Sequence, residues 1–127
     1  MTRIEVEVDV AIDGAGVAGF PYKKTVPCTT MFSYVDRLVN PSIYVALLTG
    51  MVPATTAILR FIYITTDANL YIKINDTGQQ IEDPILLLAG GTFCVVESSL
   101  VHIDAAPAIL VKPVANPTNI QVVIGIE

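Results

Sequence analysis

From Arg3 to Asp13 apolar and polar residues alternate, with Ile4, Val6, Val8, Val10 and Ile12 on one face and Arg3, Glu5, Glu7 and Asp9 on the other. A period of two predicts a half-buried β-strand, and its acidic outer face suits an exposed sheet surface or a protected edge. A loop from Gly14 to Pro21 follows. Tyr22 to Tyr34 is rich in Thr, Val and aromatic residues around Pro27, which predicts an irregular strand pushed to an edge or a bulge. Met31, Val35 and Leu38, with Phe32 and Val39, also fit helical spacing. A short helix between Thr30 and Asn40, ended by Asn40-Pro41, therefore stands as the alternative for that segment.

Beyond Pro41 the strand signals are dense: Ile43 to Leu48, Ala57 to Thr66 and Leu70 to Asn75, the last two separated by Thr66-Asp67-Ala68-Asn69 and expected to form a hairpin. Asn75-Asp76-Thr77-Gly78 is another turn cluster, and Gln79 to Asp83 is a polar loop. Strands are expected again at Ile85 to Leu88, Thr92 to Glu97, Leu100 to Asp104, Ala108 to Val111 and Ile120 to Ile126, with turns at Gly90-Gly91 and Ser98-Ser99 and a loop from Pro113 to Asn119. About eight short strands at regular spacing, without long helices, predict an all-β protein with an antiparallel β-sandwich or barrel. The 127 residues are enough for a single domain, 1–127, with a two-layer core.

Composition adds a second expectation. Apolar residues make up 53% of the chain and charged residues only 15%, against an ordinary quarter. So little polar surface leaves apolar patches exposed on a monomer, and such patches are usually covered by another subunit. The net charge of −5, with Arg3, Lys23, Lys24, Arg37, Arg60, Lys73 and Lys112 scattered, speaks against nucleic-acid binding. The charged N-terminal alternation does not read as a secretion signal. Ile43 to Ile64 is interrupted by Thr49, Gly50, Pro53, Thr55, Thr56 and Arg60, which excludes a transmembrane reading. Cys28 and Cys94 are expected to be two buried thiols.

Candidate chemistry changes the picture little. Gly14-Ala15-Gly16-Val17-Ala18-Gly19 spells the dinucleotide-binding G-x-G-x-x-G, which requires a following helix to hold the pyrophosphate. Phe20-Pro21 and the β-formers up to Pro27 leave no place for one, so a flexible glycine loop is expected. His102 and Asp104 project from one strand face downstream of Ser98 and Ser99, but no nucleophile elbow or oxyanion hole accompanies them. One His, two distant Cys and scattered carboxylates make no transition-metal site. Asp76 and Asp83 lack calcium-loop spacing, and Asn75-Asp76-Thr77 is a glycosylation sequon without a secretory context. Tyr22, Tyr34, Tyr44, Tyr63 and Tyr71, with no Trp, supply a sugar-stacking platform poorly and read as interface or rim residues. No catalytic, cofactor-binding or metal residue is assigned, and the chain is expected not to be an enzyme.

From Ile58 to Ile126, the run Ile58-Leu59-Arg60-Phe61-Ile62-Tyr63-Ile64-Thr65-Thr66-Asp67-Ala68-Asn69-Leu70-Tyr71-Ile72-Lys73-Ile74-Asn75, then Pro84 to Phe93 with Gly90-Gly91, then Asn116-Pro117-Thr118-Asn119-Ile120-Gln121-Val122-Val123-Ile124-Gly125 has a recognisable cadence. It resembles small jelly-roll virion proteins of tailed bacteriophages, including capsid cement or decoration proteins. The likeness covers a little over half of the chain. It implies a jelly-roll-like sandwich and a homo-oligomer that binds other virion proteins such as the major capsid protein. It also implies a place on the capsid exterior after synthesis in the bacterial host cytoplasm, with no cofactor, nucleic acid or membrane. The loops Gly14 to Gly19 and Pro113 to Asn119 are the candidate contact elements, since loops vary freely on a rigid scaffold. A tail, baseplate or head-fibre component shares the fold and composition. A carbohydrate-binding module would show exposed tyrosines clustered at a groove, and a cupin-type enzyme would need several metal-binding His.

Overall fold

The computed structural model describes residues 2–47, 59–74, 84–96 and 109–126, and these are all-β, with no helix among them. The strands are β1 (Thr2–Val8), β2 (Ala11–Ile12), β3 (Ala15–Gly16), β4 (Tyr22–Cys28), β5 (Thr30–Leu38), β6 (Val45–Ala46), β7 (Leu59–Thr66), β8 (Leu70–Ile74), β9 (Ile85–Leu87), β10 (Thr92–Val96), β11 (Ile109–Pro113) and β12 (Thr118–Ile126). Two four-stranded antiparallel sheets, ordered β10-β7-β12-β5 and β6-β11-β8-β9, form a β-sandwich. Four pairings are nested: β5 with β12, β6 with β11, β7 with β10 and β8 with β9. This is the pattern of one long antiparallel hairpin folded over on itself.

Alternation builds the core. Along β12, Thr118, Ile120, Val122, Ile124 and Ile126 point inward; opposite them in register stand Ile62 and Ile64 of β7, and Phe32, Tyr34 and Leu38 of β5. The second sheet contributes Leu70 and Ile72 from β8 and Ile109 and Val111 from β11 to the same cluster. Each such Ile or Leu is worth about 1.5–3 kcal/mol of transfer free energy when fully buried, so the interleaved layers are the main source of stability. Thr118 is buried among them because its hydroxyl donates to the carbonyl of Ala115 at 2.9 Å.

Several expectations need correction. The Ala57–Thr66 and Leu70–Asn75 strands do not form a hairpin: β7 lies in one sheet and β8 in the other, and the turn at 67–69 carries the chain across the core. Both strands present one fully apolar face, and facing layers satisfy that pattern as well as a shared sheet would. Residues 30–38 are a strand and not a helix. Phe32, Tyr34 and Leu38 pack on the core while Met31 and Val35 are exposed, so the period of two prevails over the helical spacing. The strand expected at Leu100 to Asp104 lies outside the described residues.

The first strand is the largest departure. Among the described residues β1 pairs only with β4, from Thr2↔Cys28 to Val8↔Tyr22, in a two-stranded ribbon. β4 runs into β5 with Thr29 alone between them; the Thr29 amide and hydroxyl both donate to the carbonyl of Ile126, at 2.9 and 3.2 Å, and pin this elbow to the end of β12. At its base the ribbon lies on the outer face of the first sheet, where Ile4, Val26 and Cys28 pack with Phe61. Gly125 makes this approach feasible, since a Cβ there would meet Cys28 Sγ at 2.5 Å and Ile4 Cδ1 at 2.7 Å.

Candidate interaction surfaces

Among the described residues nothing covers the ribbon past its base. Every residue from Glu7 to Thr25 is exposed except Val17, which is half-buried. Val8, Val10 and Ile12, expected on the buried face of a strand, are 44%, 39% and 66% exposed, and Phe20 and Tyr22 join them. The alternation is real, but the sandwich reaches only as far as Ile4 and Val6.

The glycine segment forms the ribbon's tip. Ala11↔Gly16 and Ile12↔Ala15 pair across a two-residue turn in which Asp13 and Gly14 both have positive φ, 50° and 80°. This is the mirror-image turn that matches strand twist, and Asp-Gly is its characteristic sequence. Strand β1 therefore does not continue to Asp13, and the first part of the expected glycine loop is a hairpin turn. After the Val17–Phe20 turn the chain enters β4, so no helix terminus stands behind the glycines to hold a phosphate.

A second surface lies at the other end of β12. There the turns 67–69, 88–91 and 114–117 and the connection 39–44 come together around Thr118. Asn119 donates to Asp67 twice, from its amide to Oδ1 at 2.8 Å and from Nδ2 to Oδ2 at 2.7 Å, and the Asp67 amide donates back to the Asn119 carbonyl at 3.1 Å. These bonds hold the Asp67 carboxyl below its ordinary range, chiefly through the Asn119 side chain. Asn69 accepts from the Ala89 amide at 2.9 Å through Oδ1 and from the Val114 amide at 3.1 Å through its carbonyl, and the Gly90 amide donates to Thr66. The turns are thus laced into one rigid platform. In these four segments Asp67 is the one charged residue, while Val39, Ile43, Leu88 and Val114 are exposed, Leu88 to 61%. The predicted Pro113–Asn119 loop contracts to 114–117 and belongs to this platform.

The outer face of the second sheet carries a third arrangement. Lys112 stands opposite Tyr71 in register, with its Nζ 5.4 Å from that ring centroid and 4.9 Å from the Tyr44 centroid; Lys73 Nζ lies 4.8 Å from Tyr44. Cations over ring faces are attracted by the π-quadrupole, so these lysines are partly satisfied within the sheet. The other tyrosines are dispersed: Tyr22 on the ribbon, Tyr63 on the outer face of the first sheet, and Tyr34 against the core, where it donates to the Leu47 carbonyl at 3.1 Å. Burial, and then Asp36, push the Tyr34 phenol up to about 12.

Neither cysteine is in a disulfide; Cys28 is buried under the ribbon and Cys94 is exposed on the outer face of β10, which corrects the expectation of two buried thiols. Partial burial still raises the Cys94 thiol above its ordinary value. His102, Asp104, Ser98, Ser99, Asn75, Asp76 and Asp83 lie outside the described residues. Among the described residues no group of three or more His, Cys, Asp or Glu is placed to hold a metal ion, and no helix is long and apolar enough to cross a membrane. No protein-family model matches this chain, and neither a curated protein nor a solved structure does.

Proposed function

We propose that this chain is a non-enzymatic virion structural protein of a tailed bacteriophage, a capsid decoration or cement subunit with a jelly-roll-like sandwich. One observation carries the reading: the hydrogen-bonded turns 67–69, 88–91 and 114–117, with 39–44 following Leu38 beside them, carry one charged residue and expose Val39, Ile43, Leu88 and Val114. A protein that decorates a repeated lattice needs a preformed contact face, because a face already held by hydrogen bonds loses little further entropy on binding. The nested strand order supports the jelly-roll winding. Binding across neighbouring shell subunits then stabilises the assembled shell by mass action, by about 2.7 kcal/mol per site when free protein is at 100 times the dissociation constant.

The carbohydrate-binding alternative gains nothing from the tyrosines. The two that share a face, Tyr44 and Tyr71, have lysines on their rings where a sugar would stack. The test is co-sedimentation with shells assembled from the major capsid protein encoded alongside this chain. Saturable binding is expected, together with a higher shell disassembly temperature, and Leu88→Asp and Val114→Asp should abolish both while leaving the circular dichroism spectrum unchanged. Absence of binding, or full binding by both variants, overturns the reading, and binding to tail tubes instead of shells moves the protein to the tail.

A further inference from the structure

We propose that the open edge of β5 is a self-association element, on which two copies of this chain pair antiparallel about a two-fold axis at Ser33 and join their first sheets into one. The inference stands apart from shell binding.

The backbone bonds of Asn119 show which groups of β5 face that edge. Among the described residues β5 is the last strand of its sheet, and Arg37 stands opposite Asn119 in its register with β12. The Asn119 amide donates to Asp67 Oδ1 at 2.8 Å and its carbonyl accepts from the Asp67 amide at 3.1 Å, so both point away from β5. In an antiparallel ladder this makes Arg37 and Asn119 a non-hydrogen-bonded pair, and the amide and carbonyl of Arg37 point away from β12. The Arg37 amide is satisfied there by its own neighbour, Asp36 Oδ1, at 2.8 Å. The register runs without a shift to Ile126↔Thr30, so Val35, Ser33 and Met31 turn their amides and carbonyls to the same edge. All three are exposed, Val35 to 73%. Beyond them the edge closes, because the Thr29 amide turns back to the Ile126 carbonyl.

These bounds select the occupant. Natural sheet edges are blunted by charge, proline, a bulge or shortness. From Thr29 to Val35 there is no charge, no proline and no bulge, whereas the edge strands of the second sheet, β6 and β9, have only two and three residues. The free stretch is symmetric about Ser33, with Met31 on one side, Val35 on the other and a block beyond each: Thr29 at one end, Asp36 on the Arg37 amide at the other. A second antiparallel copy therefore fits in one register. Met31 exchanges hydrogen bonds with the second copy's Val35, and Ser33 with its own counterpart. The side chains agree with that register. Exposed Met31 and Val35 become cross-strand neighbours on the outer face, and Phe32 meets Tyr34 on the other. Asp36 stands opposite Thr30 and Arg37 opposite Thr29, so no like charges oppose. A self-complementary contact of this kind closes at two copies. The ribbon base packs on Phe61 of β7, on the side of β12 away from β5.

The contact is smaller than a standard interface, so a dissociation constant on the order of 100 μM is expected. The experiment is sedimentation equilibrium of the full chain from about 10 μM to about 1 mM, with circular dichroism as the control for folding. Wild type should pass from monomer to dimer. Amide exchange at Met31, Ser33 and Val35, followed by NMR, should slow as the dimer forms, while exchange at Phe32 and Tyr34 stays unchanged. Ser33→Pro removes an edge amide that β12 does not use and should weaken the dimer by about thirtyfold. Met31→Glu and Val35→Lys, both outside the core, should each weaken it by about tenfold, and the two combined should restore it, because the opposite charges meet across the axis only in the register centred on Ser33. A chain that stays monomeric at about 1 mM, or a dimer indifferent to Ser33→Pro and to Val35→Lys, overturns the proposal. Exchange at the three edge amides that ignores concentration overturns it too. Assembly that grows beyond two copies pairs β5 with a different edge and refutes the two-fold contact, and a double variant that recovers nothing refutes the register.

Discussion

Gly125→Ala isolates the contact that anchors the ribbon. Gly125 does not sit in the left-handed region, so alanine's backbone fits and the consequence is steric. The new methyl would stand 2.5 Å from Cys28 Sγ, 2.7 Å from Ile4 Cδ1 and 3.5 Å from Phe61 Cβ. Ordinary contact needs more than 1 Å of retreat from the sulfur, and Cys28 is 1% exposed, packed with Val26 and Phe61, so the ribbon base must lift. Overpacking of this kind costs about 1–3 kcal/mol. Removing a glycine from a strand returns about 0.5–1 kcal/mol through the unfolded chain. The balance is a net loss of about 1–2 kcal/mol, read by urea denaturation followed by circular dichroism. Cys28→Ala alone costs about 1 kcal/mol for the small cavity it leaves, but it removes the nearest obstacle, so the double variant should be less destabilised than the sum by about 1 kcal/mol. Hydrogen exchange should quicken in β1 and β4 and stay unchanged in β8 and β11. A stabilising Gly125→Ala, or strict additivity with Cys28→Ala, refutes the steric account.

Three further outcomes follow from the same geometry. The Tyr34 phenol is raised to about 12, so the folded state holds its proton more tightly than the unfolded chain; its contribution is fully present below pH 10 and is lost as pH rises from 10 towards 12, a dependence that Tyr34→Phe should remove in alkaline denaturation. The Asp67 carboxyl is lowered by Asn119, so its contribution is present above the usual carboxylate range and lost as pH falls through the folded value; Asn119→Ala should flatten that acid limb and speed amide exchange at Asp67 and Gly90. Iodoacetamide should label Cys94 and spare Cys28 in the native protein, with Cys94 reacting more slowly than a free thiol at neutral pH because its thiolate is disfavoured; equal labelling of both contradicts the packing under the ribbon.

The strands were legible wherever period two met a β-branched run, as in Ile120, Val122 and Ile124. The partner of each strand was not. Ile62 and Ile64 before the 67–69 turn and Leu70 and Ile72 after it form the same pattern whether the two strands share a sheet or face each other across a core. Thr92 to Val96 is nearly all apolar or small, so nothing in it said that Cys94 would point outward. Asp13-Gly14 carried a hairpin signal between alternating residues, which the neighbouring G-x-G-x-x-G overshadowed; reading the turn first would have placed the ribbon tip. Burial was the least legible property of all. Ile4, Val6, Val8, Val10 and Ile12 are one uninterrupted pattern, yet the sandwich covers only its first part.

That last mismatch bears on function. A chain that is 53% apolar must put the surplus somewhere, and random scatter would need no explanation. Here the surplus is grouped. Of the thirteen exposed large hydrophobic residues among those described, Val8, Val10, Ile12, Phe20 and Tyr22 lie on the ribbon, and Val39, Ile43, Leu88 and Val114 on the platform. The two groups stand at opposite ends of β12, one beside Ile126 and one beside Thr118. They also differ in kind: the turns of the platform are laced by hydrogen bonds and carry one charge, whereas the ribbon is a two-stranded element with Glu5, Glu7, Lys23 and Lys24 along it. A single partner would not require two such unlike surfaces so placed. Under the proposed decoration role, the preformed end is the surface suited to a lattice, because its hydrogen bonds are already made before contact.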